Sequence, residues 1–254
     1  MEFRKIFDTI PEKFDKWRPR YCQEAFDCIA EAAQIGPAKS VLEIGPGTGQ
    51  ATDPILRTGC DYMAIELGEH LTEFMRDKYK SCSNFQIVNG DFENYDFGTR
   101  KFDLIYSAGT IQWIPEEVAF PRAFGLLKNG GTLAMMMIKG DYESSNKALY
   151  DMIQAVYKEF FHPETPYTQK FVYKNAVNYG FDKIECRKFY STREFTAAQY
   201  VEYCGTHCDH LALQEPYRTR FFEGIKSAVL EEGDKIILND TVTLYLTTKR
   251  FTKI

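Results

Sequence analysis

Histidine is scarce in this sequence, with four in 254 residues. It is the side chain whose ordinary pKa lies closest to neutral pH, so a mechanism resting on an imidazole base has few places to stand. Positive charge is not in excess either. Lys and Arg number 31 against 36 Asp and Glu, a net charge of −5, and no basic stripe runs along the chain. Proteins that bind nucleic acid usually carry one, so no nucleic-acid partner is expected. No apolar stretch approaches the roughly 20 residues that a bilayer-spanning helix needs. The opening MEFRKIFDTIPEKFDKW is mixed and charged, without the apolar centre of a secretion signal. No membrane association is expected. The seven cysteines, odd in number and without framework spacing, fit the reducing cytoplasm, which is the expected location. Repeats and low-complexity linkers are missing too.

What is present is a chain long enough to bury a sizeable core, with a regular alternation of elements. Apolar side chains at helical spacing over 21–35 predict a helix closed by Gly36-Pro37. SVLEIG (40–45) is a short apolar run typical of a buried parallel strand. A helix is expected over 50–58 with Gly59 as its stop. DYMAIEL (61–67) reads as a second strand, EHLTEFMRDKYK as a helix, and NFQIVNGDF (84–92) and KFDLIYSAG (101–109) as the third and fourth strands. EEVAFPRAFGLLKNGG predicts a helix ended by Gly130-Gly131, and TLAMMMIKG (132–140) a fifth strand. Within it Met135, Met136 and Met137 are core positions of a strand buried on both faces. Beyond Gly140 come helices over 146–161 and 168–180, a sixth strand over 181–195, helices over 196–213 and 216–233, and a last strand over 241–251. The rhythm predicts a doubly wound α/β sandwich. Such sheets bind ligands at the carboxyl ends of their strands.

The stretch VLEIGPGTGQ (41–50) sits at such an end. A turn nearly free of side chains lets the backbone approach a ligand closely. A dinucleotide would ask for G-x-G-x-x-G, but the third glycine of that pattern falls on Gln50. The spacing is G-x-G-x-G, preceded by Glu43. A carboxylate there repels a pyrophosphate and suits a cationic, amino-bearing ligand.

E-x-G-x-G-x-G resembles the first motif of class I S-adenosylmethionine-dependent methyltransferases. The resemblance implies that Gly45, Gly47 and Gly49 lie against the methionine part and ribose of S-adenosylmethionine, with Glu43 supporting the turn. The second strand ends at Glu66, about 20 residues on, where a ribose-binding acid is expected. A carboxylate accepts from both ribose hydroxyls, and the resemblance places Leu67 beside the adenine. In GDFENYDF, Asp91 resembles the residue that accepts from the adenine amino group, with Phe92 packed nearby. YSAGTIQWIPEE resembles the small-molecule members of the family, those like trans-aconitate methyltransferase, in which the loop reads S-x-x-x-x-H-W. Ser107 and Trp113 match, and Gln112 stands where histidine is common. Glutamine donates and accepts but is no base near neutral pH. Trp113 is read equally as pocket wall and as packing. The Asn/Asp-Pro-Pro-Tyr/Phe sequence of amino-directed nucleic-acid methyltransferases is missing.

FDKWRPRY (14–21) is similar to a segment of the same small-molecule group. Arg18 is a candidate to hold a carboxylate of cofactor or substrate, and Tyr21 to close over the methyl group. CGTHCDH (204–210) sets Cys204, His207 and Cys208 on one helical face, but no second ligand pair follows at recognisable spacing, and no metal is expected. By analogy with bacterial relatives of the subgroup, His210, His207 or Tyr200 touches substrate.

The expected fold is therefore a Rossmann-like, doubly wound seven-stranded sheet with its last strand antiparallel, plus an N-terminal helix and a helical cap insertion. One domain, 1–254, would comprise a helical lid (1–36), a cofactor-binding core (37–190), a helical cap over the working edge (191–236) and the final strand (237–254). The expected activity is methyl transfer from S-adenosylmethionine to a small-molecule acceptor, with a small carboxylic acid or other metabolite leading, by a monomer or homodimer. The alternatives are a protein that keeps the cofactor pocket without turnover, and a nicotinamide oxidoreductase.

Overall fold

Side chains alternate between the two faces of a strand, and here the alternation sorts the core into two layers. The computed structural model describes residues 3–163 and 170–250. Its strands are β1 (Ser40–Ile44), β2 (Asp61–Glu66), β3 (Phe85–Asn89), β4 (Phe102–Ala108), β5 (Leu127–Asp141), β6 (Glu185–Phe195) and β7 (Ile236–Thr248). They form a seven-stranded sheet in the order β3-β2-β1-β4-β5-β7-β6. The helices are α1 (Pro11–Trp17), α2 (Gln23–Ala33), α3 (Thr52–Leu56), α4 (Glu69–Lys78), α5 (Glu116–Leu126), α6 (Lys147–Phe160), α7 (Ala197–Cys204), α8 (Cys208–Leu211) and α9 (Tyr217–Glu231). Val41, Tyr62, Ala64, Leu104, Tyr106, Ala134 and Met136 pack with Ala25, Phe26, Ile29, Ile55 and Met75 from α2, α3 and α4. Their sequence neighbours Leu42, Met63, Ile65, Ile105, Leu133 and Met135 pack with Ala119, Phe120 and Ala123 of α5 and with Tyr173 and Ala176. Two-faced burial is why these strands read as nearly continuous apolar runs.

Strands β1 to β5 pair in parallel, and β7 runs against them. The Lys249 N–H donates to the Gly131 carbonyl at 2.8 Å, and the Gly130 N–H donates to the Lys249 carbonyl at 3.1 Å, so that one residue faces two, as in an antiparallel bulge. Nearer the start of β7, Leu238 and Asp240 lie beside Gly140. Residue numbers therefore rise along one strand as they fall along the other.

The chain divides into two compact units. The first consists of the described residues of Met1–Arg18, Lys139–Thr168 and Tyr190–Thr241; the second of those of Pro19–Ile138, Gln169–Phe189 and Val242–Ile254. The first has its own core, in which Leu149 and Ile153 of α6 meet Tyr200, Tyr203 and Cys204 of α7 and Phe221, Ile225 and Val229 of α9. A reciprocal cap starts α7, with Thr196 accepting from the Gln199 N–H at 3.3 Å and Gln199 from the Thr196 N–H at 3.0 Å. Among the described residues no helix is long and apolar enough to cross a membrane.

Several elements depart from the expected bounds. The helix over 21–35 closes at Gln34, in the left-handed region at φ 49°. The helix expected over 50–58 contracts to α3, because the glycine turn extends to Gly49 at φ 88°. Gly130-Gly131 lies inside β5 and does not end α5. The register against β4 shifts there, and a Cβ on Gly131 would sit 3.0 Å from the Lys128 carbonyl. The helix over 168–180 is a 3-10 turn, Tyr173–Tyr179; residues 168 and 169 lie outside the described residues, as does 251 of the last strand. The single helix over 196–213 is two, α7 and α8, parted at Gly205, where a Cβ would meet the Lys13 amine at 2.7 Å. Strand β7 begins at Ile236, ahead of the expected 241, because a buried aspartate, Asp240, disguises its apolar alternation.

Candidate active site

Strands β3, β2, β1 and β4 are neighbours in the sheet, so the turns after Asn89, Glu66, Ile44 and Ala108 lie side by side. The sequence had named a candidate in each. The turn after β1 places Gly45, Gly47 and Gly49 at φ 64°, 60° and 88°, a region that L side chains seldom enter. Gly45 also lacks room: a Cβ would come within 2.2 Å of Thr110 Cγ2. Its N–H donates to the Ile65 carbonyl at 2.9 Å, and its carbonyl accepts from Thr110 Oγ1 at 2.9 Å. The turn is thus clamped between β2 and the loop after β4. From α4, the Lys78 amine reaches the Thr48 carbonyl at 2.7 Å.

Two acids hold this turn in different ways. Glu43 is 1% exposed. It faces the layer of α2 and α3, where Thr52 Oγ1 donates to its Oε2 at 2.7 Å and the Tyr62 hydroxyl donates to the same oxygen. Tyr62 in turn shares a hydrogen bond with the Tyr106 hydroxyl. Burial pushes the Glu43 carboxyl up to about 7, against the opposing pull of the hydrogen bonds from Thr52, Tyr62 and Tyr106. Glu43 is therefore a brace inside the fold, tying the end of β1 to the start of α3. Glu66 closes β2 and is buried. Its Oε2 accepts from the Gly47 N–H at 3.0 Å and its Oε1 from the Gly68 N–H at 2.9 Å. One carboxylate thereby fixes the turn after β1 against the turn after β2, and the backbone donor that a phosphate would need is occupied by an acid.

Leu67 follows, half-buried, with its carbonyl and that of Glu66 accepting from Asn89 Nδ2 at 3.2 and 3.1 Å. Asp91 opens the turn after β3, where its Oδ1 accepts from the Glu93 N–H at 3.0 Å. The Phe92 side chain is 3% exposed, its ring against Phe97 and under the Arg122 guanidinium, so it builds core. Ser107 is fully buried; it donates to the Ile44 carbonyl and accepts from the Ile111 N–H, both at 3.0 Å. It spaces the ends of β1 and β4. Gln112 is braced by donating to the Gly109 carbonyl at 2.9 Å and accepting from the Tyr173 hydroxyl at 3.2 Å. The half-buried Trp113 closes the same 3-10 turn, and the Tyr21 hydroxyl points at Gly109.

Residues 42–135 match the family model described as a methyltransferase domain. This stretch of the chain is therefore similar to a methyltransferase domain. One curated relative is malonyl-[acyl-carrier protein] O-methyltransferase 1 of Ilyobacter polytropus, 29% identical over 136 residues, covering 52% of this chain and 47% of the relative. Another is the ribosomal RNA small subunit methyltransferase A of Pseudomonas syringae pv. syringae, 31% identical over 110 residues, covering 43% of this chain and 41% of the relative. The chain thus spans under half the length of these relatives. Among solved structures, phosphoethanolamine N-methyltransferase 2 of Haemonchus contortus, in complex with phosphomonomethylethanolamine and S-adenosylhomocysteine, superposes with a TM-score of 0.59 at 17% identity, over 99% of this chain and 61% of that one. At that identity the likeness is one of fold.

All the candidate cofactor residues, from Glu43 to Ser107, fall in the second unit, with Tyr21, Gln112 and Trp113. Arg18, Tyr200, His207 and His210 fall in the first. Three residues about the glycine turn escaped sequence reasoning. Tyr62 and Tyr106 read as strand-forming aromatics; only the register that sets Glu43 level with Tyr106 reveals their bond to the acid. Thr110 carried no signal beyond its place in the loop.

Proposed function

We propose that this chain transfers a methyl group from S-adenosylmethionine to a small-molecule acceptor. The observation that carries the reading is Glu66 with its carboxylate on the glycine turn, 3.0 Å from the Gly47 N–H. An acid at that place suits the ribose hydroxyls of a nucleoside cofactor, and Gln50 in place of the third glycine of the dinucleotide pattern disfavours a nicotinamide dinucleotide. The residues present fit such a cofactor. The turn is held open by glycines at positive φ, and Glu66 would take the ribose hydroxyls, with Leu67 and Asp91 about the adenine.

When bound, S-adenosylmethionine supplies a sulfonium methyl for displacement by an oxygen, nitrogen or carbon nucleophile. The chain's own contribution is position. Thr110, Ser107 and Glu66 lock three neighbouring turns to one another, and orientation alone can supply about 7–11 kcal/mol of a barrier. Gln112, held at both ends by Gly109 and Tyr173, orients the loop and supplies no base. An acidic acceptor that is already ionised needs none, which supports a small carboxylic acid as the leading class. The net charge of −5 supports a small acceptor over RNA, despite the ribosomal RNA methyltransferase among the relatives. Transfer of radiolabelled methyl to a metabolite mixture, with S-adenosylhomocysteine as inhibitor, tests the proposal. Saturable cofactor binding with no transfer to any acceptor would leave a cofactor-binding protein without turnover.

A further inference from the structure

The first unit contains two buried side-chain nitrogens without a hydrogen-bond partner among the described residues. The Arg193 guanidinium, near the end of β6, is pinned by Asp240. Its Nε bonds to Oδ2 and its Nη2 to Oδ1, the latter at 2.9 Å, and Asp240 is 1% exposed. Its plane lies over Phe195 and Tyr203, 5.2 and 4.7 Å from the ring centroids. The remaining Nη1 is buried and without a hydrogen-bond partner among the described residues. His207, at the start of α8, meets the same Tyr203 ring edge-on at 4.7 Å, and its Nδ1 is likewise buried and unpartnered. The second cation is Arg18 at the end of α1. Burial first, then the charge of Arg18 and the neighbouring His210, and last that of Arg193, hold the His207 pKa well below the usual range. Both arginines therefore bear on one neutral imidazole.

Buried donors are seldom left unsatisfied in native proteins, so two beside one tyrosine ring point to a ligand that accepts. We propose that Arg193, His207 and Arg18 bind the carboxylate of a small organic acid. The spare donor sets the class. Arg193 holds one donor more than Asp240 accepts from, and a carboxylate, which only accepts and pairs with a guanidinium in plane, suits that donor. The neighbouring rings, Phe195 and Tyr203, are aromatic, which suits a carbon skeleton over a bare inorganic ion.

The same segment brings donor atoms of Cys204, His207 and His210 within 4.8 Å of one another, a spacing that a cation could bridge. Three features oppose a cation. His210 uses Nδ1 on the Cys204 carbonyl at 2.9 Å and Nε2 on the Tyr157 hydroxyl at 2.8 Å. Burial pushes the Cys204 thiol up to about 12. The two arginines make the local field positive.

Calorimetric titration of the full chain with monocarboxylates from acetate to phenylacetate tests the site, with inorganic phosphate and zinc chloride in parallel. The account expects one equivalent of a monocarboxylate to bind and phosphate to bind more weakly. His207→Phe, which removes the imidazole donor, should weaken the acid by roughly tenfold or more. Arg193→Lys, which keeps a cation opposite Asp240 but loses Nη1, should do the same. Melting curves check that both variants fold, and Arg18→Gln, at a half-exposed position, gives a third readout if either does not. No bound acid, acid binding unchanged in the folded variants, tighter binding of phosphate, or one equivalent of zinc lost in Cys204→Ala would each overturn the proposal. S-adenosylhomocysteine titrated into the same samples reports on the cofactor reading separately, because acid binding neither requires it nor replaces it.

Discussion

Replacing Glu43 with glutamine tests whether the acid of the glycine motif is a buried brace. The folded carboxyl is raised from 4.5 to about 7, chiefly by burial. At 1.36 kcal/mol per unit, that shift is worth about 3 kcal/mol. The sign follows from proton binding. Below 4.5 both folded and unfolded states hold the proton, and above 7 neither does. Between them the folded state keeps a proton that the unfolded chain has released, so wild-type stability falls as pH rises through this window. Glutamine has the same shape and does not titrate. Urea denaturation of both proteins at pH 4.5, 6 and 8 yields the difference in unfolding free energy at each pH, and any constant loss from mismatched hydrogen bonds cancels. The variant should gain on the wild type by about 3 kcal/mol between the lowest and highest pH. A difference that stays flat within about 0.5 kcal/mol, inside the error of such extrapolations, would refute the assignment and mean that Glu43 ionises as an ordinary surface acid.

Two substitutions separate backbone strain from crowding. Gly98→Ala sits at φ 58° in open space and should cost only about 1 kcal/mol, whereas Gly45→Ala, at φ 64° with Thr110 Cγ2 at 2.2 Å, should cost several times that and abolish S-adenosylhomocysteine binding. Equal melting temperatures for the two would remove Thr110 as the clamp. Glu66→Gln preserves the shape that bridges Gly47 and Gly68 but removes the charge; calorimetry should find S-adenosylhomocysteine affinity down by about tenfold or more with the fold intact. Unchanged affinity would take Glu66 out of the cofactor site.

The glycine turn and the acid that closes β2 were legible because their signals are local. VLEIGPGTGQ and AIEL each carry an apolar run, an acid and a break within ten residues, and strand ends follow from that pattern. The role of Glu43 was legible only in part. That it supports the turn was expected; that two tyrosines complete its site depends on the pairing of β1 with β2 and β4, and periodicity within one strand says nothing of register between strands. Phe92 shows the converse. Its place beside Asp91 suggested a ligand contact, yet the turn after β3 carries its ring into the core against Phe97. Arg193 and Asp240 lie on β6 and β7, 47 positions apart, and nothing near either residue announces the other. Gly130-Gly131 misled for a physical reason: glycine ends helices, but it also serves where a strand bulges against a close neighbour.

The central claim is tested most directly by thermal unfolding with S-adenosylhomocysteine and, separately, NAD. A ligand at a hundred times its dissociation constant stabilises by about 2.7 kcal/mol, which for a chain of this size raises the melting temperature by about 5–10 °C. The account predicts that rise with S-adenosylhomocysteine and none with NAD. A rise with NAD alone would contradict it, because a pyrophosphate would then occupy the Gly47 N–H that Glu66 is held to fill.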